Sequence, residues 1–182
     1  MGAVLVHEFM SLDGVIDAPV WTSGYGFDPK MGDAIAAVTE RCRGILLGRT
    51  TFEMFAQTWP TRTVEQDPGA TFFNDTTKYV VSSRLTNPTW RNSTIIGPYR
   101  PETIRKLKDD VDGDLYTSGS GALVRAMLAD RLVDELHLFV YPLTLGHGPR
   151  LFPGDAAPGK LSLVTAESYQ NGVLYLAYRP QA

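Results

Sequence analysis

Short apolar runs alternate with longer stretches in which apolar residues recur every three or four positions. The runs predict buried strands, and the longer spacing predicts amphipathic helices. We expect strands at 3–10, 44–48, 78–82, 93–97, 114–117 and 135–142. We expect helices from a cap at Asp28 or Asp33 to about 41, then at 49–57, 101–111 and 119–130, with one helical turn at 70–75 and a loop at 19–27.

The end of the chain has a different pattern. Two strand-like segments, 161–169 and 173–179, flank Asn171-Gly172, a pair that tolerates positive φ at both turn positions. Strands alternating with helices are typical of an α/β fold with a mostly parallel sheet and helices on both faces. The terminal hairpin makes that sheet mixed. We predict one domain over 1–182.

Composition narrows the function classes. The 182 residues carry 17 Lys and Arg against 20 Asp and Glu, a formal net charge of −3, which does not favour nucleic-acid binding. The single Cys42 and three scattered histidines predict no disulfide and no metal site. We find no secretory signal and no run of about 20 apolar residues, so we expect a cytoplasmic protein that does not bind membranes.

Candidate chemistry follows the strands, because ligands of open α/β sheets bind at the carboxyl ends of strands. Gly48, Arg49, Thr50 and Thr51 join a strand to a helix, and the helix N-terminus favours an anion there. A second glycine-rich junction opens the next predicted helix. Its candidate ligand-binding residues are Gly119, Ser120, Gly121, Ala122 and Leu123.

Two further strand ends are polar. Ser82, Ser83 and Arg84 suit a ribose 2′-phosphate, although an ordinary polar strand end would look the same. Asp13 either orients a substrate or caps a turn, since Asp-Gly pairs usually form turns. His147, on a flexible glycine-rich loop, and Arg150 are candidates for holding a substrate phosphate.

The junctions occur in an order that resembles the dihydrofolate reductase-like superfamily. The matching stretches are SLDGVID (11–17), ILLGRTTFEMFAQTWP (45–60), KYVVSSRLTN (78–87), LYTSGSGALVRAML (115–128) and VDELHLFVYPLTLGHGPRLF (133–152). The similarity is greatest to stand-alone relatives of the reductase domain of the riboflavin-biosynthesis deaminase-reductase. The His-x-Glu and Pro-Cys-x-x-Cys residues of a zinc deaminase are absent.

This resemblance implies a three-layer dihydrofolate reductase-like fold, a homodimer and an NADPH site. It places the cofactor phosphates at residues 48–51 and the 2′-phosphate at 82–84. Gly119 and Ser120 match a Gly-Gly pair that is joined by a cis peptide in dihydrofolate reductases. Phe9 and Met10 match the strand end whose backbone meets the nicotinamide carboxamide.

The expected activity is hydride transfer from NADPH to a C=N or C=O bond of a small heterocyclic or ribosylamino-pyrimidine-type substrate. Asp13 is the candidate for orienting the substrate, and Asp33, which matches the pterin-binding acid of the superfamily, is the candidate proton donor. Phe139 stands where that acid has a threonine partner, which disfavours a pterin. Two alternatives stay open: a nucleotide-binding module without turnover, and a pterin reductase with a diverged substrate site.

Overall fold

The computed structural model describes residues 1–16, 19–154 and 159–181. Eight strands form one sheet: β1 Val4–Ser11, β2 Cys42–Gly48, β3 Thr77–Val81, β4 Ser93–Ile95, β5 Asp114–Ser118, β6 Glu135–Tyr141, β7 Leu161–Ser168 and β8 Leu174–Pro180. The helices are α1 Pro29–Thr39, α2 Arg49–Thr58, α3 Ala70–Asp75, α4 Pro101–Asp110 and α5 Gly121–Ala129. Short 3₁₀ helices cover Val20–Tyr25 and Trp59–Thr61.

The sheet order is β4-β3-β2-β5-β1-β6-β8-β7. The six strands from β4 to β6 are parallel, and β8 and β7 add an antiparallel edge. This confirms the predicted mixed, mostly parallel α/β sheet. Since β1 lies between β5 and β6, its carboxyl end opens at the middle of the sheet.

Alternating side chains of the central strands supply both faces of the core, as expected for strands covered on both sides. Val4 and Val6 pack with the apolar residues of α4 and α5. Leu5 packs on the other face with Val38 of α1 and Phe52 of α2. The result is the three-layer arrangement that the alternation of strands and helices predicted.

Most predicted elements lie within a few residues of the observed ones, and the differences have local causes. Asp28 rather than Asp33 caps α1, where its carboxylate accepts a hydrogen bond from the Lys30 N–H. The stretch predicted as a loop at 19–27 contains a 3₁₀ helix, in which the Thr22 hydroxyl donates to the Pro19 carbonyl.

The terminal hairpin turns at the predicted residues. Tyr169 pairs with Val173, so the loop has three residues, and only Gly172 has a positive φ, of 83°. Asn171 instead accepts a hydrogen bond from the Val173 N–H through its side chain. Of the pair that tolerates positive φ, Gly172 alone adopts it, and it occupies the left-handed position of the three-residue loop 170–172.

All seven residues of strand β6 are buried within the chain. It is therefore core. The large exposed apolar side chains of the described sheet lie at its antiparallel edge, at Leu161, Leu163 and Val164 of β7 and Leu174 of β8. Within the described ranges, no helix is both long and apolar enough to cross a membrane.

Candidate functional site

A cavity of about 1540 Å³ opens at the carboxyl ends of the central parallel strands. Its walls come from β1, α1, α2 and the N-terminal end of α5. The structure brings eleven of the sequence-predicted site residues together in this lining: Phe9, Asp33, Gly48, Arg49, Thr50, Thr51, Gly119, Ser120, Gly121, Ala122 and Leu123. The volume exceeds the ~300–1,000 Å³ of a usual single-ligand pocket, so two ligands can share it.

The two glycine-containing junctions are tied to each other. The Gly48 N–H donates to Ser120 Oγ at 2.9 Å, and the Ser120 N–H donates to Thr51 Oγ1 at 2.8 Å. Gly119 and Ser120 have φ values of 58° and 62°, and the described part of the chain contains no cis peptide bond. The superfamily's cis peptide is therefore not found here, and two consecutive left-handed residues make the turn instead.

The N-terminus of α2 keeps its anion-binding character. Its cap residue, Gly48, has no side chain to accept from the first-turn N–H groups. Thr50 and Arg49 are exposed at the same helix end. Free N–H groups, the helix dipole and a guanidinium together suit a phosphate. Arg49 forms an exposed ion pair with Glu53 one turn later, at 3.1 Å, which leaves its remaining donors for a ligand.

A smaller pocket of about 280 Å³ lies next to this helix end. It is lined by Arg49, Val81, Ser82, Ser83, Arg84, Pro98 and Tyr99. Arg49, Val81 and Tyr99 also line the large cavity, so the two spaces adjoin. The Arg84 side chain makes no hydrogen bond or ion pair with any described residue, and it is exposed.

Ser82 differs from its neighbours because its hydroxyl is already used. Ser82 Oγ accepts from the backbone N–H groups of Arg84 and Leu85, at 3.1 and 2.9 Å. It therefore shapes the turn that presents Ser83 and Arg84. The sequence could not distinguish this turn role from a ligand contact.

Four predicted site residues do not line either space: Met10, Asp13, His147 and Arg150. The Asp13 carboxylate accepts from the Ser11 hydroxyl at 2.6 Å and from the backbone N–H groups of Leu145 and Gly146. These hydrogen bonds hold the pKa of Asp13 well below its ordinary value. Of the two roles predicted for Asp13, the geometry favours the structural one, which is to anchor the loop after β6.

Arg150 belongs to the same anchor. Its Nε donates to the Asp13 carbonyl at 2.8 Å, and its guanidinium lies 3.5 Å from the carboxylate. His147 is exposed on the loop. The structure thus does not bring these two residues to the cavity, and gives no support to the predicted substrate-phosphate site.

Asp33 lines the cavity but lies exposed on α1. Phe139, at the position matched to a hydroxyl residue, is buried against Tyr175 and Tyr169 with ring centroids 4.9 and 6.4 Å apart. The structure thus places Asp33 in the lining without burying its side chain.

Two residues of β1 were missed as site residues, although both line the cavity and are nearly inaccessible. His7 lies within the segment predicted as the first strand, a position that by itself indicates a core residue. Its Nδ1 lies 2.7 Å from the Tyr116 hydroxyl, but Nε2 is buried without a partner. Burial lowers the pKa of His7 to about 3, with a contribution from His137, so the ring is neutral.

Glu8 is 2% exposed and projects to the opposite face of β1 from His7. Burial raises the pKa of its carboxyl group to about 8, against the opposing effects of the Gly119 backbone and the Arg125 charge. Its Oε1 atom has no hydrogen-bond partner among the described residues. The sequence feature that could have identified Glu8 as a site residue is its charge within a mostly apolar segment that is predicted to be a strand.

Comparison with known proteins identifies the family. Residues 3–175 match the RibD C-terminal domain. The chain belongs to this family. It is 28% identical over 181 residues to YyaP of Bacillus subtilis (strain 168), an uncharacterised protein, with 96% of this chain and 93% of YyaP covered.

Solved structures share the fold. A protein from Shewanella sp. PV-4, described as a candidate for riboflavin biosynthesis, matches with a TM-score of 0.80, 20% identity and 99% of both chains covered. A pyrimidine reductase-like protein from Corynebacterium diphtheriae gives 0.65 at 15% identity, covering 100% of this chain and 92% of that one. The deaminase/reductase of Thermotoga maritima gives 0.68 at 18% identity; the match covers 99% of this chain but 57% of that one. The fold is thus dihydrofolate reductase-like.

Proposed function

We propose that the protein is an NADPH-dependent reductase that transfers a hydride to a C=N or C=O bond of a small heterocyclic or ribosylamino-pyrimidine-type substrate. Membership in a family of reductase domains supports an oxidoreductase. The observation that carries the proposal is the continuity of the two spaces. Arg49 borders both the Ser83–Arg84 pocket and the large cavity.

The donor set of the small pocket fits a phosphorylated dinucleotide. Arg84 has no partner in the described chain, and Ser83 is exposed beside it, so both can meet a 2′-phosphate. Arg49, Thr50 and the first-turn N–H groups of α2 would hold the linking phosphates. When bound, this cofactor supplies the hydride; the chain supplies orientation and the polar contacts.

The substrate would occupy the part of the cavity that reaches the carboxyl end of β1. His7, Glu8 and Phe9 line it there, while Phe55 and Trp59 contribute apolar wall from the α2 side. A flat ring with one or two polar edges fits such a lining. The exposed Asp33 and buried Phe139 give a pterin reductase no support.

Calorimetric titration with NADPH and then NADH tests the cofactor half of the proposal. Micromolar binding of NADPH with much weaker binding of NADH is the expected result. A second experiment follows NADPH oxidation with a panel of heterocyclic imines and carbonyl compounds. If NADPH binds but no compound is reduced, the nucleotide-binding module without turnover is favoured instead. No binding of either nucleotide would refute the proposal.

Arg91→Ala is a matched control for Arg49→Ala in these titrations. Like Arg49, Arg91 is exposed and forms an ion pair, with Asp75 at 2.6 Å. It precedes β4, at the amino ends of the parallel strands and therefore at the opposite edge from the site. The expected homodimer stays a prediction, which sedimentation of the same protein would test.

A further inference from the structure

The central strand β1 carries a buried carboxyl group, that of Glu8. On its face of the strand Glu8 lies between Val6 and Met10, and the strand pairs on both sides, with β5 and β6. Burying a carboxyl group costs free energy unless all its polar atoms are paired. Oε1 is left without a partner, yet Glu8 lines the cavity. An orphaned buried oxygen beside a ligand-sized space points to a role toward the ligand.

We propose that Glu8, the buried carboxyl group among the described residues of the cavity lining, delivers the proton that accompanies hydride transfer. This inference rests on the proposed reductase. The carbon of the substrate double bond gains the hydride, and its nitrogen or oxygen takes the electron pair of the π bond and the proton of Glu8. Glu8 becomes a carboxylate, the reduced nucleotide is oxidised, and water restores the proton before the next turnover.

The surroundings of Glu8 fit both states of this cycle. Apolar burial keeps the carboxyl group neutral before reaction, so it carries the proton near neutral pH. The Gly119 backbone and Arg125 lie on the α5 side and favour the anion once the proton has left. Tyr116, on the neighbouring strand, is the other ionisable group that interacts with Glu8, and burial raises its pKa so that it stays neutral.

Asp33, the acid predicted from the sequence, is exposed on α1, whereas Glu8 is buried in the cavity wall. His7 also lines the cavity, but its low pKa leaves no proton to give as an imidazolium. Within the part of the lining that the structure describes, Glu8 is therefore the buried acid.

The first test is a direct titration of the carboxyl group. Carbon-13 NMR of glutamate carboxyl resonances, compared between the wild type and Glu8→Gln, identifies the Glu8 signal by its loss. We expect it to titrate near pH 8 in the free protein. Titration near 4.5 would overturn the proposal whether or not the protein binds NADPH.

The second test separates a catalytic proton from a structural acid. NADPH oxidation is followed with 3,4-dihydroisoquinoline, a cyclic imine, for the wild type, Glu8→Gln and Glu8→Asp. Glu8→Gln keeps the shape and the Gly119 contact but has no acidic proton. We expect kcat to fall roughly 100-fold or more with KM little changed, and the alkaline limb of the pH profile near 8 to disappear.

Glu8→Asp should recover part of kcat, because it restores an acid one methylene shorter. Unchanged kcat and an unchanged alkaline limb in Glu8→Gln would overturn the Glu8 proposal while the reductase stands. Tight NADPH binding with no oxidation by the wild type of this imine or of any compound in the panel would instead refute the reductase, and the Glu8 role with it. Glu102→Gln, on the exposed face of α4, is the control.

Thermal unfolding gives a further readout that is independent of turnover. The pKa of Glu8 is raised in the folded protein, so this group favours folding below its ordinary pKa of 4.5. That contribution is lost as the pH rises through 8. As the pH rises from 5 to 9, the melting temperature of Glu8→Gln should therefore increase relative to that of the wild type. A constant difference would contradict a buried neutral carboxyl group.

Discussion

The Gly48 N–H donates a hydrogen bond to the side chain of Ser120, 72 residues later, at 2.9 Å. Ser120 replaces the second glycine of the superfamily's pair, and its hydroxyl links two strand-to-helix junctions that meet only in the folded sheet. Its own N–H is held by Thr51 Oγ1. The serine therefore fixes the spacing between the α2 and α5 helix starts, where the predicted phosphate contacts lie.

Replacing Ser120 should separate the hydrogen bond from the backbone conformation. Ser120→Ala loses the Gly48 contact and keeps a non-glycine residue at φ 62°, so we expect a loss of about 1 kcal/mol in unfolding free energy. Ser120→Gly loses the same contact but adopts the left-handed conformation without penalty. Urea unfolding should rank the wild type first, Gly second and Ala third; Ala equal to the wild type would show that the contact contributes nothing.

Arg49→Ala should weaken NADPH binding by about 1.5–3 kcal/mol, since a charge-assisted hydrogen bond to phosphate is lost. This corresponds to roughly a 10- to 150-fold rise in Kd. Glu53→Gln releases Arg49 from its ion pair and should leave Kd equal or lower. Calorimetry checks both variants, with Arg91→Ala as the control. Equal weakening in Arg91→Ala would indicate a general charge effect rather than a contact.

Arg84→Ala should reduce the preference for NADPH over NADH by roughly tenfold or more, because only NADPH carries the 2′-phosphate. The affinity for NADH itself should not change. Ser83→Ala should move the ratio in the same direction by less, since a neutral hydroxyl contributes less than a guanidinium. Titration of each variant with both nucleotides gives the ratio, and an unchanged ratio in Arg84→Ala would remove this residue from the site.

The order of strands and helices was predictable because hydrophobic periodicity and helix signals are local. The Pro101 helix start and the junctions at 48–51 and 119–123 could be read from adjacent residues, whereas the cap of α1 stayed open between Asp28 and Asp33 until the structure showed it. Their meeting at one cavity followed from the parallel sheet. The resemblance added the cofactor chemistry, which composition and periodicity do not contain.

The remaining site residues could not be assigned because their roles depend on distant partners. Asp13 is occupied by backbone N–H groups more than 130 residues away, and Ser120 by one 72 residues earlier. Glu8 and His7 lie in an apolar run, where sequence favours a satisfied core role. Only the structure shows that each keeps a buried atom without a partner at a cavity wall.

Asp13→Asn should affect stability rather than cofactor binding, because Asp13 anchors the 143–150 loop and lies outside both cavities. Its folded-state pKa is lowered, so the ionised carboxylate favours folding above its ordinary pKa of 3.8. That contribution is lost as the pH falls through and below this value. The melting temperature of Asp13→Asn should thus lie below that of the wild type at pH 7, and the gap should narrow toward pH 3.

Asp110→Asn, an exposed partner of Lys106, should show a much smaller gap at pH 7. An equal gap in both variants would show that the Asp13 anchor contributes no more than a surface pair, and a large loss of NADPH affinity in Asp13→Asn with unchanged stability would return Asp13 to the site.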